Sequence, residues 1–223
     1  MNELDLIVLD LAGTTVEDRG QVADAFTTAL AASGVSVTPG QLQGVRGSSK
    51  RQAVLELVPD GSDRAQRAEA VYHSFVERLA KRYRTEGVRA MPGAEHVFHW
   101  FRHKGVRAAL NTGFDRCITE LLLEALGWTN HLVDAVVCGD DVKCGRPAPD
   151  LIFRAMELTG TNNALRVASV GDTTLDLQAG YNAGVRWNIG VLSGAHDRAL
   201  LEQAPHSHLL ADITQLPSLW PAV

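Results

Sequence analysis

The sequence predicts an α/β protein in which a parallel sheet, covered by helices on both faces, is interrupted near its start by a helical domain. Three observations carry this. From about residue 87 onward, short apolar runs alternate with helical patterns, the signature of a parallel sheet. One more such run, Leu6-Ile7-Val8-Leu9, stands near the N-terminus. Between the two regions, residues 17–86 show helical periodicity and no strand pattern. The division is therefore a core of residues 1–16 plus 87–223 and a helical insert of 17–86.

Leu6 to Leu9 reads as a buried strand ending at Asp10. Gly13, Thr14 and Thr15 must then turn, and small residues there can aim backbone N–H groups at an anion. A helix is predicted from about Val22 to Ala32, with Val22, Ala25, Phe26, Ala29 and Leu30 at helical spacing and Gly34 as its stop. Thr38-Pro39 has the form of an N-cap followed by proline at the first helical position. That short helix runs to about Val45 and breaks at Arg46-Gly47-Ser48-Ser49-Lys50. A further helix reaches Leu57, with Ala53, Val54 and Leu57 on one face. After the turn Pro59-Asp60-Gly61-Ser62, a long helix spans Asp63 to about Thr85. Its predicted buried stripe is Ala68, Val71, Tyr72, Phe75, Leu79 and Tyr83.

Beyond Gly87, Met91-Pro92-Gly93 opens a helix through His103, and a strand over Val106–Leu110 follows. Helices are predicted over Asp115–Leu126, from near Pro149, and over Leu175–Ala183. Strands are predicted at Ala135–Cys138, Val167–Val170, Asn188–Leu192 and His208–Leu210. In an open parallel sheet, ligands bind outside the carboxyl ends of the strands. The insert leaves the core just after Asp10's loop, where it is placed to act as a lid.

Composition narrows the function classes. The chain has 223 residues, 45% hydrophobic and 21% charged, with net charge −5 and pI about 5.9. Its basic residues are scattered, which argues against nucleic-acid binding while leaving room for a small anionic substrate. No run approaches the ~18 apolar residues of a membrane span, so no membrane partner is expected. Cys117, Cys138 and Cys144 lack metal-ligand spacing and read as free thiols of a reducing compartment, which predicts a cytoplasmic protein. His96, His99 and His103 share a helix face and read as surface residues; Trp100 and Trp128 read as packing.

Four polar clusters follow predicted strands: Asp10, Thr112, Arg146, and Asp172 with Asp176. Each has an ordinary reading as a cap, turn or solvated loop residue. At strand ends on one sheet edge they would instead gather carboxylates, a hydroxyl and a guanidinium. The full pattern, Asp10-Leu11-Ala12-Gly13-Thr14, Asn111-Thr112-Gly113, Gly145-Arg146-Pro147-Ala148-Pro149-Asp150 and Gly171-Asp172-Thr173-Thr174-Leu175-Asp176, resembles the haloacid dehalogenase superfamily over essentially the whole chain. The resemblance implies a Rossmann-like parallel-sheet core with an inserted α-helical cap domain, and a homodimer formed through the cap. It implies Asp10 as nucleophile, with Mg2+ held by Asp10, the Ala12 carbonyl and Asp172, and Asp176 orienting a metal water. Thr14, Thr112, Gly113 and Arg146 would hold a small phosphorylated or phosphonate substrate. The chemistry is consistent: a carboxylate approaches a phosphoryl anion only when charge is neutralised, and the Arg fork holds two oxygens.

One departure is informative. Most phosphatases of the superfamily carry a second Asp two residues after the nucleophile, and Ala12 stands there. An ester phosphatase would lose its general acid, an effect of ~10²–10⁴ in rate. Asp-x-Ala-Gly-Thr, and Arg in place of the usual third-motif Lys, resemble the phosphonoacetaldehyde hydrolases (phosphonatases). In that family a cap lysine in a Gly-x-x-Lys turn forms an imine with the substrate aldehyde. Gly47-Ser48-Ser49-Lys50 occupies the matching place, which makes Lys50 the candidate Schiff-base residue. The family's His three residues after the Lys is Ala53 here, and its Met before the Gly is Arg46. Arg46 and Gly47 are accordingly expected to contact a more polar or more anionic substrate. The expected activity is Mg2+-dependent cleavage of the C–P bond of phosphonoacetaldehyde or a related carbonyl phosphonate. A phosphomonoesterase, or a catalytically idle binding member, are the alternatives.

Overall fold

The computed structural model describes residues 4–45, 48–128 and 132–220. Six parallel strands, β1 (Leu6–Asp10), β2 (Arg107–Asn111), β3 (Ala135–Val137), β4 (Val167–Gly171), β5 (Trp187–Val191) and β6 (His208–Leu210), form one sheet. Their order is β3-β2-β1-β4-β5-β6. β1 is central because its side chains are apolar on both faces, as burial between two helical layers requires. Leu6 and Val8 pack with Ala155 and Ala179 on one face, and Ile7 and Leu9 with Phe101 and Ile118 on the other. All four β1 side chains are fully buried. The first layer comes from α7 (Asp150–Thr159) and α8 (Thr174–Asn182), the second from α5 (Ala94–His103) and α6 (Arg116–Leu126). A short α9 (Arg198–Leu201) completes the core helices. The strand order reverses at β1, the switch point where open α/β sheets bind ligands.

Helices α1 (Gln21–Ala32), α2 (Pro39–Gly44), α3 (Lys50–Leu57) and α4 (Arg64–Glu86) lie between β1 and β2 in sequence. Thr38 caps α2 through a capping box with Gln41, as the Thr-Pro signal implies. The buried residues of α4 are the predicted stripe of Ala68, Val71, Tyr72, Phe75, Leu79 and Tyr83. Phe75 meets Phe26 of α1 edge to face, 5.5 Å between ring centroids. Ala25, Phe26, Ala29 and Leu30 of the predicted face of α1 are buried and Val22 is half-buried against the same core; Gln21 is buried as well. Gln21 Nε2 donates to Glu86 Oε2 and the Gly87 carbonyl at 3.0 and 3.2 Å. The chain entering and leaving these helices pairs with itself: Val16 bridges Ala90, Glu17 N donates to the Arg89 carbonyl, and Met91 N to the Thr15 carbonyl.

The expected surface and packing roles hold. His96, His99 and His103 are exposed, while Trp128 packs edge-on to Phe98 and donates to Glu95. The three cysteines are free thiols. Among the described residues no helix is long and apolar enough to cross a membrane.

Candidate active site

Parallel register brings the ends of β1, β2 and β4 to one edge of the sheet, with Asp10 opposite Asn111. Asp10 is therefore fixed by the strand that bears it and is only 4% exposed. The loop after it is held by Thr15, whose hydroxyl donates to the Asp10 carbonyl at 2.8 Å. Arg146, from the loop before α7, is equally buried. Its Nη2 lies 2.8 Å from Asp10 Oδ1 and 2.7 Å from Asn111 Oδ1, and its Nε lies 2.8 Å from Asp176 Oδ1. The guanidinium is thus oriented from three sides. Asp176 is oriented in turn by Thr173, whose N–H and hydroxyl both donate to its Oδ2 as the capping box of α8.

Asp172 follows β4 and is 2% exposed. Its Oδ2 accepts from Ala195 N at 2.6 Å, and Thr14 Oγ1 lies 3.5 Å from its Oδ1. Two glycines make room for it. A Cβ on Gly13 would lie 2.3 Å from Asp172 Oδ2, and one on Gly194 2.0 Å from the same atom. Gly13 also takes φ +93°, a conformation that disfavours side chains. Thr112 is buried with Oγ1 accepting from Phe114 N, which closes the turn that Gly113 makes after β2.

Three buried carboxylates face one buried guanidinium, so the pocket holds more negative than positive charge. Burial pushes Asp10 up to about 7, and the nearby Asp176 charge adds to this against the opposing pull of Arg146. Burial, then the Asp10 and Asp176 charges, hold Asp172 well above the usual carboxylate range. Burial works against the Arg146 cation, but Asp176 and Asp10 outweigh it and keep the group ionised. A divalent cation would relieve this imbalance. Among the described residues no three His, Cys, Asp or Glu side chains gather as a ligand set. Two carboxylates with a main-chain carbonyl still fit Mg2+, which keeps several of its waters.

These groups form the floor of a cavity of about 130 Å³. Asp10, Ala12, Thr112, Gly113, Arg146, Asp172 and Asp176 line it from the core. Val22, Phe26, Leu42, Val45 and Lys50 line it from the helical insert. Lys50 opens α3; its Nζ donates to the Ser48 carbonyl at 3.3 Å and lies 6.0 Å from the centroid of the Phe26 ring. Thr14 is fully buried beside Asp172 and does not line the cavity. Arg46 and Gly47 fall outside the described residues. Asn111, which opens the Asn111-Thr112-Gly113 motif, contributes its amide oxygen. Three contributors carried no motif, Ala195 N–H, Phe114 and Asp18, which reaches the cavity wall from the linker; they sit in loops of no fixed pattern.

A buried carboxylate thus ends the central strand, a second follows its neighbour β4, and an arginine pairs with the first and with Asp176 on a sheet of this order. The chain belongs to the haloacid dehalogenase-like hydrolases, whose family model matches residues 7–189. Within that family it falls in the phosphonatase-like branch. It is 31% identical to the phosphonoacetaldehyde hydrolase of Syntrophobacter fumaroxidans, over 88% of this chain and 75% of that protein. It is 29% identical to the Bacteroides fragilis phosphonoacetaldehyde hydrolase, over 96% and 85%. A hydrolase from Pseudomonas syringae has the same fold, with a TM-score of 0.85 at 22% identity over 96% of this chain and 97% of that one.

Proposed function

We propose that this hydrolase cleaves the C–P bond of phosphonoacetaldehyde or a close carbonyl phosphonate, with residues 17–86 as the cap over a core of 1–16 plus 87–223. The observation that carries the reading is that Lys50 and Asp10 line one cavity in which Ala12 stands where an acid would serve an ester phosphatase. The insert wall is also mostly apolar, with Val22, Ala23, Phe26, Leu42 and Val45 beside the polar Asp18, Thr27, Ser48 and Lys50, which suits a short carbonyl compound better than a polyhydroxylated sugar phosphate.

In this reading the Lys50 amine adds to the substrate carbonyl, and loss of water gives a protonated imine. Asp10 then attacks phosphorus while the C–P electron pair moves into the imine to form an enamine. Protonation at carbon and hydrolysis free Lys50 and the aldehyde, and a second water releases phosphate from Asp10. Thr112, Gly113 and Arg146 bind the phosphoryl oxygens, Thr14 supports Asp172, and Arg46 and Gly47 are proposed to contact the substrate beside Lys50. Asp10, Asp172 and the Ala12 carbonyl would hold Mg2+, with Asp176 outside it; the ion supplies charge neutralisation at the phosphoryl group. Free thiols, two of them exposed, support a cytoplasmic location.

Incubation with phosphonoacetaldehyde and borohydride, read by peptide mass spectrometry, should fix a two-carbon adduct on Lys50, and Lys50→Arg should abolish phosphate release. An adduct elsewhere, or none with any carbonyl phosphonate, overturns the reading. One feature favours a phosphomonoesterase instead: Asp18 offers the cavity a carboxyl group that could serve a leaving alkoxide. Turnover of a small phosphate ester that survives Lys50→Ala and fails in Asp18→Asn would decide for it.

A further inference from the structure

Lys50 is flanked by residues that both touch the core. On one side, Ser49 backs onto Gly145, where a Cβ would lie 3.5 Å from Ser49 Cβ and 3.8 Å from Ser49 N. Gly145 directly precedes Arg146. On the other side, Arg51 Nε lies 3.5 Å from Asp115 Oδ2. Asp115 is the N-cap residue of α6, three positions after Thr112. Residues 49–51 thus rest on the loop that delivers the arginine and on the loop that delivers the threonine, with Lys50 between them lining the cavity.

Arg51 does not reach Asp115 as a loose surface chain. Its Nη1 is held by both Glu69 carboxylate oxygens, at 2.7 and 2.5 Å, and its guanidinium stacks on Tyr72, 4.1 Å from the ring centroid. Helix α4 therefore orients the fork before it meets the core, which reduces the ordering needed for the cross-contact. Asp115 is the more enclosed partner, its side chain 15% exposed against 49% for Arg51.

We infer that Arg51 and Asp115 are positioning residues that seat the start of α3 on the core and so set Lys50 over Asp10. The inference rests on the lysine-imine reading. A lysine that must bond to a carbonyl whose phosphoryl end is held by the core needs its helix registered to that core, and small displacements are costly in rate. Neither residue touches the substrate; both act through Lys50.

The test uses the full chain with Mg2+ and phosphonoacetaldehyde. Asp115→Asn and Arg51→Gln should each slow single-turnover borohydride trapping at Lys50 and lower kcat by ~2–10-fold, with KM within ~2-fold because the core holds the phosphoryl group. The double variant should be no slower than the slower single one. Trapping by the native protein should fall between low and high salt, and that dependence should vanish in Asp115→Asn. Asp115→Glu should restore most of the rate, which separates positioning from folding. Native trapping rates in both variants, or additive losses in the double variant, overturn this inference alone. Absence of any adduct in the native protein overturns it together with the imine reading.

Discussion

The core wall of the cavity and the insert wall hold their polar groups in opposite ways. On the core side Asp10, Arg146, Asp172 and Asp176 are each 5% exposed or less, and every one is locked by a strand end, an ion pair or a backbone donor. On the insert side the wall is mostly apolar, and Lys50 sits on a helix of eight residues that meets the core through Ser49 against Gly145 and the Arg51–Asp115 ion pair. Under the proposed function, the chemistry common to phosphoryl transfer would sit on strand ends of the sheet, where geometry is most precisely held. The lysine proposed to choose the substrate would stand on a short helix of the insert.

Changes to the core wall should therefore be severe and general, and changes to the insert wall mild and substrate-specific. Asp10→Asn should lower phosphate release from any substrate by ~10³-fold or more, measured at saturating substrate. Retained activity would show that the nucleophile lies elsewhere. Arg146→Ala leaves two buried carboxylates unpaired and should destabilise the metal-free protein by about 3–5 kcal/mol in denaturant unfolding. Gly194→Ala places a methyl group against Asp172 and should weaken Mg2+ binding ~10–100-fold by calorimetry; unchanged affinity would remove Asp172 from the metal set.

The pH dependence follows from the raised carboxyl groups. Between 3.8 and about 7 the folded protein keeps a proton on Asp10 that the unfolded chain has lost. The contribution of this group to stability is then present at low pH and falls as pH rises through that window. Mg2+ competes for the same oxygens, so it should raise Tm more at pH 8 than at pH 5; equal increments would contradict the linkage. The smallest expected effect is on the insert wall. Val22→Thr should change KM for a carbonyl phosphonate by ~2–5-fold with kcat nearly constant.

Much of the core wall was legible because a buried parallel strand announces itself as a short apolar run, and polar residues at its carboxyl end mark the edge where ligands bind. Asp10, Thr112 and Asp172 were placed that way, and the structure sets Arg146 between Asp10 and Asp176. The stripe of α4 was legible for the same reason, since one apolar face repeats over more than four turns from Ala68 to Tyr83. Contacts between distant loops left no such trace. Nothing in the periodicity joins Arg51 to Asp115, Ala195 N–H to Asp172, or Asp18 to the cavity. Nor does it announce that Gln21 is buried beside Val22, its side chain donating to Glu86 65 positions away.

The pairing of the two linkers has a consequence for how such a protein can change over time. Val16 and Ala90 are bridged, so the chain departs from the core and returns to it at one point. The entropy of closing a loop grows only with the logarithm of its length once the ends are neighbours. To the sheet, the whole helical insert is then equivalent to a short surface excursion. An ancestral or engineered chain can lengthen, shorten or exchange it while β1 keeps its register and Asp10 its place, so the wall opposite Asp10 can change without rebuilding the sheet edge that bears it.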